Sequence, residues 1–90
     1  MAVMVTMTLP IDEQAYRAMH GQLLPLASSQ GLIFHSAHEV GGQVKVVDFW
    51  PSADAWTSFS EGPMAAGMKA AGMTPPSDVE ITEVLSADAG

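Results

Sequence analysis

The sequence predicts a small α+β domain, and three observations predict it. Two consecutive glycines, Gly41-Gly42, separate two strand-like segments, and paired glycines tolerate the positive φ that a two-residue hairpin turn requires. A helical pattern precedes this hairpin and another follows it. Strand-like segments lie at both ends of the chain. The resulting order, β-α-β-β-α-β, is the ferredoxin-like pattern, in which both helices lie on one face of a four-stranded antiparallel sheet.

The first strand is predicted over Met1 to Thr8, where both sides are apolar, as in a strand covered on two faces. A helix then begins near Asp12 and is expected to end or kink near Leu24, because Pro25 cannot donate a backbone hydrogen bond. Residues at helical spacing define its expected buried face: Ile11, Ala15, Ala18, Met19, Leu23 and Leu26.

The hairpin strands are predicted over Leu32 to Val40 and Gln43 to Pro51. Ser52 is a favoured N-cap for the next helix, which is expected to weaken at Gly62. Pro63 suits the start of a second short helix, 64–71, with Gly72 as its C-cap. The last strand is predicted over 79–85, so that one domain spans 1–86 and 87–90 form a tail.

Composition predicts a homodimer. The chain has 90 residues, of which 48% are hydrophobic and 14% charged, although a chain this short has little core of its own. The hairpin is apolar on both faces, with Phe34, Val47 and Phe49 on one of them. Two crossover helices cover one sheet face only, so a second copy is the simplest cover for the other.

Charge and residue usage exclude several partners. The net charge is −7 with three Lys or Arg residues, so no basic cluster is present to bind nucleic acid or an anionic membrane. No apolar stretch approaches the length of a membrane span, and the N-terminus lacks the basic region of a signal peptide. The absence of cysteine excludes thiolate sites and is typical of a cytoplasmic protein.

The hairpin register brings two polar residues together. A two-residue turn pairs Val40 with Gln43, and counting back places His35 opposite Asp48. Opposed side chains lie within hydrogen-bonding reach, and a carboxylate beside an imidazole favours the imidazolium, a common way to tune a general base. The alternative is a structural polar pair without a catalytic role.

Other candidate sites are weaker. His35 and His38 lie three apart on a strand and point to opposite faces, so they cannot bind one metal ion together, and no metal site is predicted. Ser36 is adjacent to His35 and faces away from it, which excludes a serine triad. The remaining apolar candidates are either core residues or the walls of a ligand cleft: Trp50, Trp56, Phe59, Met64 and Met68.

These features together resemble the dimeric α/β-barrel superfamily. The relevant segments are 31–35, the Gly41-Gly42 turn, and 46–52 with its Trp-x-Ser motif (Trp50, Ser52), followed by an aromatic helix. The pattern looks most like the antibiotic-biosynthesis-monooxygenase-like proteins. The resemblance implies a homodimer with a cleft between sheet and helices, and activities that include cofactor-free oxygenation of aromatic polyketide-like compounds, haem breakdown and isomerisation. The haem-degrading members have an Asn on the first strand and a His on the second helix, and this chain has neither.

Two functions therefore remain open. The first is a cofactor-free monooxygenase-like enzyme for a small apolar or aromatic substrate, in which Asp48 orients His35 as the base and Trp50, Trp56, Phe59 and Met68 line the cleft. A related isomerase or cyclase would use the same pair without oxygen. The second is a dimeric ligand-binding or stress-associated module without catalysis.

Overall fold

The computed structural model describes residues 1–89 and has the predicted element order. A four-stranded antiparallel sheet, in the order β2-β3-β1-β4, carries the helices on one face. The elements are β1 (Val3–Leu9), α1 (Glu13–Ser29), β2 (Phe34–Val40), β3 (Gln43–Trp50), α2 (Ala53–Phe59), a π-helical turn (Ser60–Met64), α3 (Ala65–Ala70) and β4 (Ser77–Glu83).

The hairpin register is the one that the turn predicts. Gly41 and Gly42 have φ of 57° and 80°, so both central turn residues adopt the left-handed conformation that glycine permits. Val40 pairs with Gln43, and the ladder continues to His35 opposite Asp48. Both of these side chains face the helices, because residues of one parity share one face of a strand.

The core lies between this sheet face and the helices. Alternate residues of β1 and β3 are buried, and the helices add a matching apolar layer. The main contributors are Val3, Val5, Met7, Leu9, Val44, Val46 and Trp50 from the sheet, and Leu23, Ala27, Trp56, Phe59, Met64 and Met68 from the helices.

The predicted end of α1 at Leu24 is wrong, because the helix continues through Pro25 to Ser29. A proline costs the helix one hydrogen bond, to the carbonyl four residues earlier. That residue is Gly21, which is exposed, so water can satisfy its carbonyl. The helix ends instead at Ser29, with Gln30 as its C-cap and Gly31 following at a φ of 104°.

The buried face of α1 also differs from the prediction. Ala18 is exposed and Leu26 retains 46% of its accessible surface, whereas Leu23 and Ala27 are buried. Tyr16 packs against the core in line with them. The sequence contains two overlapping apolar stripes on this helix, and packing on the sheet selects the one that includes Tyr16.

Pro63 does not start a separate helix as predicted. It lies inside the π-helical turn, which joins α2 to α3 without a break. The wide turn is visible at Ala65, whose N–H donates to the carbonyls of Ser60 and Gly62. Single π-turns commonly occur as insertions inside α-helices, so the helical path continues from α2 through Pro63 into α3.

The opposite sheet face has no helix on it. Phe34 and Val40 are 51% and 47% exposed, and Val47 and Phe49 on the same face are half-buried. No helix within residues 1–89 is long and apolar enough to span a bilayer.

Candidate functional site

Three side chains from three elements form a continuous hydrogen-bonded chain on the helix side of the sheet. His35 of β2 bonds through Nδ1 to Asp48 Oδ1 of β3, with 2.5 Å between the atoms. The other ring nitrogen, Nε2, lies 2.5 Å from the hydroxyl of Tyr16 on α1. We refer to Tyr16, His35 and Asp48 as the relay.

Local sequence features explain how each residue of the relay is positioned. The Gly41-Gly42 turn sets the register that opposes His35 to Asp48. Asp12 caps α1, its carboxylate accepting from the N–H of Ala15, and this fixes where the first helical turn begins. Tyr16 follows one turn later and projects towards β2.

Burial makes the relay sensitive to its hydrogen bonds. The side chains of His35 and Asp48 are only 17% and 8% exposed. A carboxylate withdrawn from water requires compensating partners, and the imidazole of His35 supplies one. Removal of that ring would leave a buried acceptor without its donor.

The hydrogen-bond pattern determines which atoms of the relay donate a proton and which accept one. A carboxylate on Asp48 can only accept, so Nδ1 of His35 carries the donated proton. In the neutral imidazole Nε2 then accepts, and the hydroxyl of Tyr16 donates to it. The lone pairs of the Tyr16 oxygen stay available to accept a proton from a bound molecule.

Burial and nearby charge disfavour ionisation of the Tyr16 hydroxyl. Its pKa is raised above the ordinary value, first by burial and then by the negative charge of Asp48, while Arg17 acts in the opposite direction. A neutral phenol with its proton directed at an imidazole is suited to transfer protons rather than to act as a permanent anion.

His20 lies against the relay one helical turn beyond Tyr16. The centroid of its ring is 5.3 Å from that of His35 and 5.4 Å from that of Tyr16. Within residues 1–89 its side chain makes no hydrogen bond, although it is half-buried. It is therefore held by packing alone.

The relay borders a small apolar pocket that is partly open to solvent, the inner cavity, of about 60 Å³. Its lining comprises Met7, Leu9, Tyr16, Met19, His20, Leu23, Leu24, Ala27, Leu32, His35, Val46, Asp48, Phe59 and Met64. A cavity of roughly 150 Å³ is known to hold benzene. The inner cavity therefore has room for a few non-hydrogen atoms but not for an aromatic ring.

A larger depression, the outer groove, lies between α1 and the hairpin and measures about 500 Å³. Its lining is more polar and comprises Glu13, Tyr16, Arg17, His20, Ala37, His38, Glu39 and Val44. Tyr16 and His20 belong to both spaces, so they form the wall between them.

The structure packs the rings of Trp50, Trp56 and Phe59 against one another, but the four predicted cleft residues do not line one cleft with His35 and Asp48. Phe59 lines the inner cavity with the relay, whereas Trp56 and Met68 line a separate groove of about 510 Å³ beside β4. Trp50 is fully buried in the core, and within residues 1–89 its indole N–H has no hydrogen-bond partner. Only Phe59 of the four is adjacent to His35 and Asp48.

Two residues of this site, Tyr16 and His20, were not predicted from the sequence. Their spacing with Leu23 and Ala27 is helical, which is a signal that places two polar aromatic side chains on a buried stripe. That signal is weak, because Ala15, Ala18 and Leu26 define a competing stripe.

Within the described residues, no group of three or more His, Asp or Glu side chains is arranged to hold a metal ion. The relay contains two such ligand types, and its third member is a tyrosine. Proton transfer is the chemistry that these three side chains support directly.

Comparison with known proteins supports the fold. No family model and no curated protein matches the chain. Among solved structures, the NE2512 protein of unknown function from Nitrosomonas europaea is similar with a TM-score of 0.73 and 24% identity, covering 97% of this chain and 92% of that one. Rv0793 from Mycobacterium tuberculosis is similar with a TM-score of 0.71 and 18% identity, covering 97% and 98%.

A further similar structure is a Chloroflexus aurantiacus protein provisionally described as an antibiotic biosynthesis monooxygenase, with a TM-score of 0.67, 11% identity and full coverage of both chains. The chain thus shares its ferredoxin-like fold with these solved structures, one of which is provisionally described as an antibiotic biosynthesis monooxygenase, and the predicted fold is confirmed. At these identities the likeness is one of fold, and the activity must be argued from the site.

Proposed function

We propose that the protein is a small-molecule enzyme of the cofactor-free monooxygenase-like type, acting on an aromatic or polyketide-like substrate with an acidic C–H or phenolic O–H group. The observation that carries the proposal is the continuous Tyr16–His35–Asp48 hydrogen-bond chain beside a cavity. The provisional description of the Chloroflexus aurantiacus protein as an antibiotic biosynthesis monooxygenase supports the reaction class.

The relay would act in one concerted proton transfer. The Tyr16 oxygen accepts the substrate proton while its own proton passes to Nε2 of His35. The resulting imidazolium is stabilised by the carboxylate of Asp48. In this scheme Tyr16 touches the substrate, and His35 acts through it rather than directly.

Oxygen would then react with the substrate carbanion. An electron moves from the carbanion to O₂, and the two radicals combine to form a C–O bond. The peroxide takes back a proton from His35 through Tyr16, and the hydroperoxide loses water to leave a carbonyl. The overall change, from CH₂ and O₂ to C=O and H₂O, balances without an added reductant.

The test combines oxygen uptake with substrate deuterium exchange, using hydroxylated anthrones and hydroquinones as probes. Tyr16→Phe and His35→Gln should reduce both rates by about 10²–10⁴-fold, the usual contribution of a positioned acid–base group. Gln22→Ala, an exposed change on the same helix and outside both cavities, should leave the rates unchanged.

The outcomes separate the alternatives. Exchange or product formation without oxygen uptake would indicate an isomerase or cyclase that uses the same relay. Tight binding of the probes without exchange or turnover would indicate a binding module and refute the enzyme proposal. Equal rates in Tyr16→Phe and the unmodified protein would refute the role of the relay.

We further propose that a second copy of the chain covers the free sheet face. The exposed Phe34 and Val40 on this face, together with the half-buried Val47 and Phe49, support it. A symmetric pair would bury the same patch on both subunits. The relay lies on the other face of the sheet, so the dimer would support the site without contributing to its proton transfer.

A further inference from the structure

We infer that the inner cavity and the outer groove are two halves of one substrate site, and that His20, on the wall they share, is a determinant of specificity. This inference rests on the proposed function for its substrate class. The ligand it predicts is elongated: a phenolic ring in the outer groove carries a small apolar substituent that passes His20 into the inner cavity.

The first argument is one of size. The inner cavity, at about 60 Å³, is smaller than the roughly 150 Å³ cavity that accommodates benzene, so it cannot contain an aromatic substrate. The outer groove, at about 500 Å³, has room for a ring. A ring in the groove with its substituent in the cavity uses both spaces.

The second argument is the shared wall. Only Tyr16 and His20 line both spaces. Tyr16, whose hydroxyl would accept the substrate proton, therefore lies on the wall that the two spaces share. A ligand that spans both spaces would place its middle beside Tyr16.

The third argument identifies which wall residue moves. Tyr16 is fixed by its hydrogen bond to His35, whereas the His20 side chain makes no hydrogen bond within residues 1–89. A rotamer change at His20 would break its ring contacts with Tyr16 and His35 but no hydrogen bond. His20 can therefore open the wall while the relay stays assembled.

The chemistry of the two spaces sets the ligand. Apart from the relay and His20, the inner lining is apolar, which favours an alkyl group. The outer groove carries a Glu13–Arg17 ion pair and Glu39, which favour an uncharged ring with hydroxyl substituents over an anion.

The test measures binding and does not depend on turnover. The affinities of phenol and of 4-methyl-, 4-ethyl- and 4-propylphenol are determined by calorimetry. In the unmodified protein, the affinity should rise about fourfold with each methylene added to the phenol, because this is the gain from burying one CH₂ group. The rise should stop when the inner cavity is full. In His20→Trp, the larger indole obstructs the passage between the two spaces. The affinity should then no longer increase with the length of the alkyl group, while phenol itself still binds.

Two further variants complete the design. Ala27→Val adds bulk to the lining of the inner cavity alone and should also remove the rise in affinity, whereas Gln22→Ala on the exposed side of α1 should preserve it. The inference would be overturned if affinity increased equally with alkyl length in the unmodified protein and in His20→Trp. Because no step requires oxygen, the inference can fail while oxygen uptake succeeds, and it can hold where oxygen uptake fails.

Discussion

At the scale of single residues, the most informative side chain is Tyr16, because it joins an element far away in the sequence to the hairpin pair. Its hydroxyl completes the relay, and its environment disfavours the phenolate. The chain has only one tyrosine, so this group can be titrated without interference from others.

We expect the tyrosinate absorbance of the folded protein to appear at a higher pH than that of the unfolded chain. In Asp48→Asn the pKa of Tyr16 should fall, because the negative charge that raises it is gone, and in Arg17→Gln it should rise. Ultraviolet difference titration measures both. An unchanged pKa of Tyr16 in Asp48→Asn would contradict the described contact between the two groups through His35.

The raised pKa of Tyr16 also predicts how the stability of the folded protein depends on pH. Because the pKa of Tyr16 is higher in the folded protein than its ordinary 10.0, the unfolded chain releases this proton first as pH rises. The contribution of Tyr16 to stability is therefore complete below about pH 10 and is lost as pH rises through the folded pKa. Urea unfolding at a series of alkaline pH values checks the sign, with Tyr16→Phe as the control that lacks this loss.

At the scale of elements, the helix ends are set by local backbone rules. After α3, the N–H of Gly72 donates to the carbonyl of Lys69 and that of Met73 to the carbonyl of Met68, the two bonds of a Schellman cap. Gly72 has a φ of 68° to allow this. The predicted glycine cap is confirmed, although the start of the preceding helix is not where Pro63 indicated.

A matched pair of glycine substitutions tests this rule. Gly72→Ala should destabilise the fold by about 1–2 kcal/mol, the cost of a side chain in the left-handed conformation. Gly21→Ala, in the interior of α1, should be neutral or stabilising by up to about 1 kcal/mol, because Gly21 has an ordinary φ and a Cβ there meets no neighbouring atom within 4 Å. Denaturant unfolding compares the two, and equal costs would contradict the cap assignment.

At the scale of the whole molecule, the two sheet faces are unequal: one carries the core and the relay, and the other carries exposed apolar side chains. The proposed dimer would remove this inequality. It would also bury apolar surface of a chain that is 48% hydrophobic.

Sedimentation of two variants tests the dimer. We expect the unmodified chain to sediment as a dimer and Phe34→Lys to shift towards the monomer, because a charge in a buried contact is costly. Leu26→Lys is the matched control, since Leu26 is 46% exposed on α1 while Phe34 is 51% exposed on the free face. A well-folded monomer of the unmodified chain across a wide concentration range would refute the proposal.

The sequence by itself determined the element order, the hairpin register and the opposition of His35 to Asp48, because each depends on local rules. The Gly41-Gly42 turn sets the register over a few residues, and alternation then assigns the faces. The cap residues Asp12, Ser52 and Gly72 likewise act within one turn of their helices.

Only the tertiary structure decided which stripe of α1 faces the sheet, and with it the presence of Tyr16 and His20 at the site. Two stripes of similar hydrophobicity overlap on this helix, and their difference lies in contacts with strands that are distant in the sequence. The same packing buried Trp50 in the core and moved Trp56 and Met68 to another groove. Helix rotation is set by the surface the helix packs on, and that surface exists only once the sheet has formed.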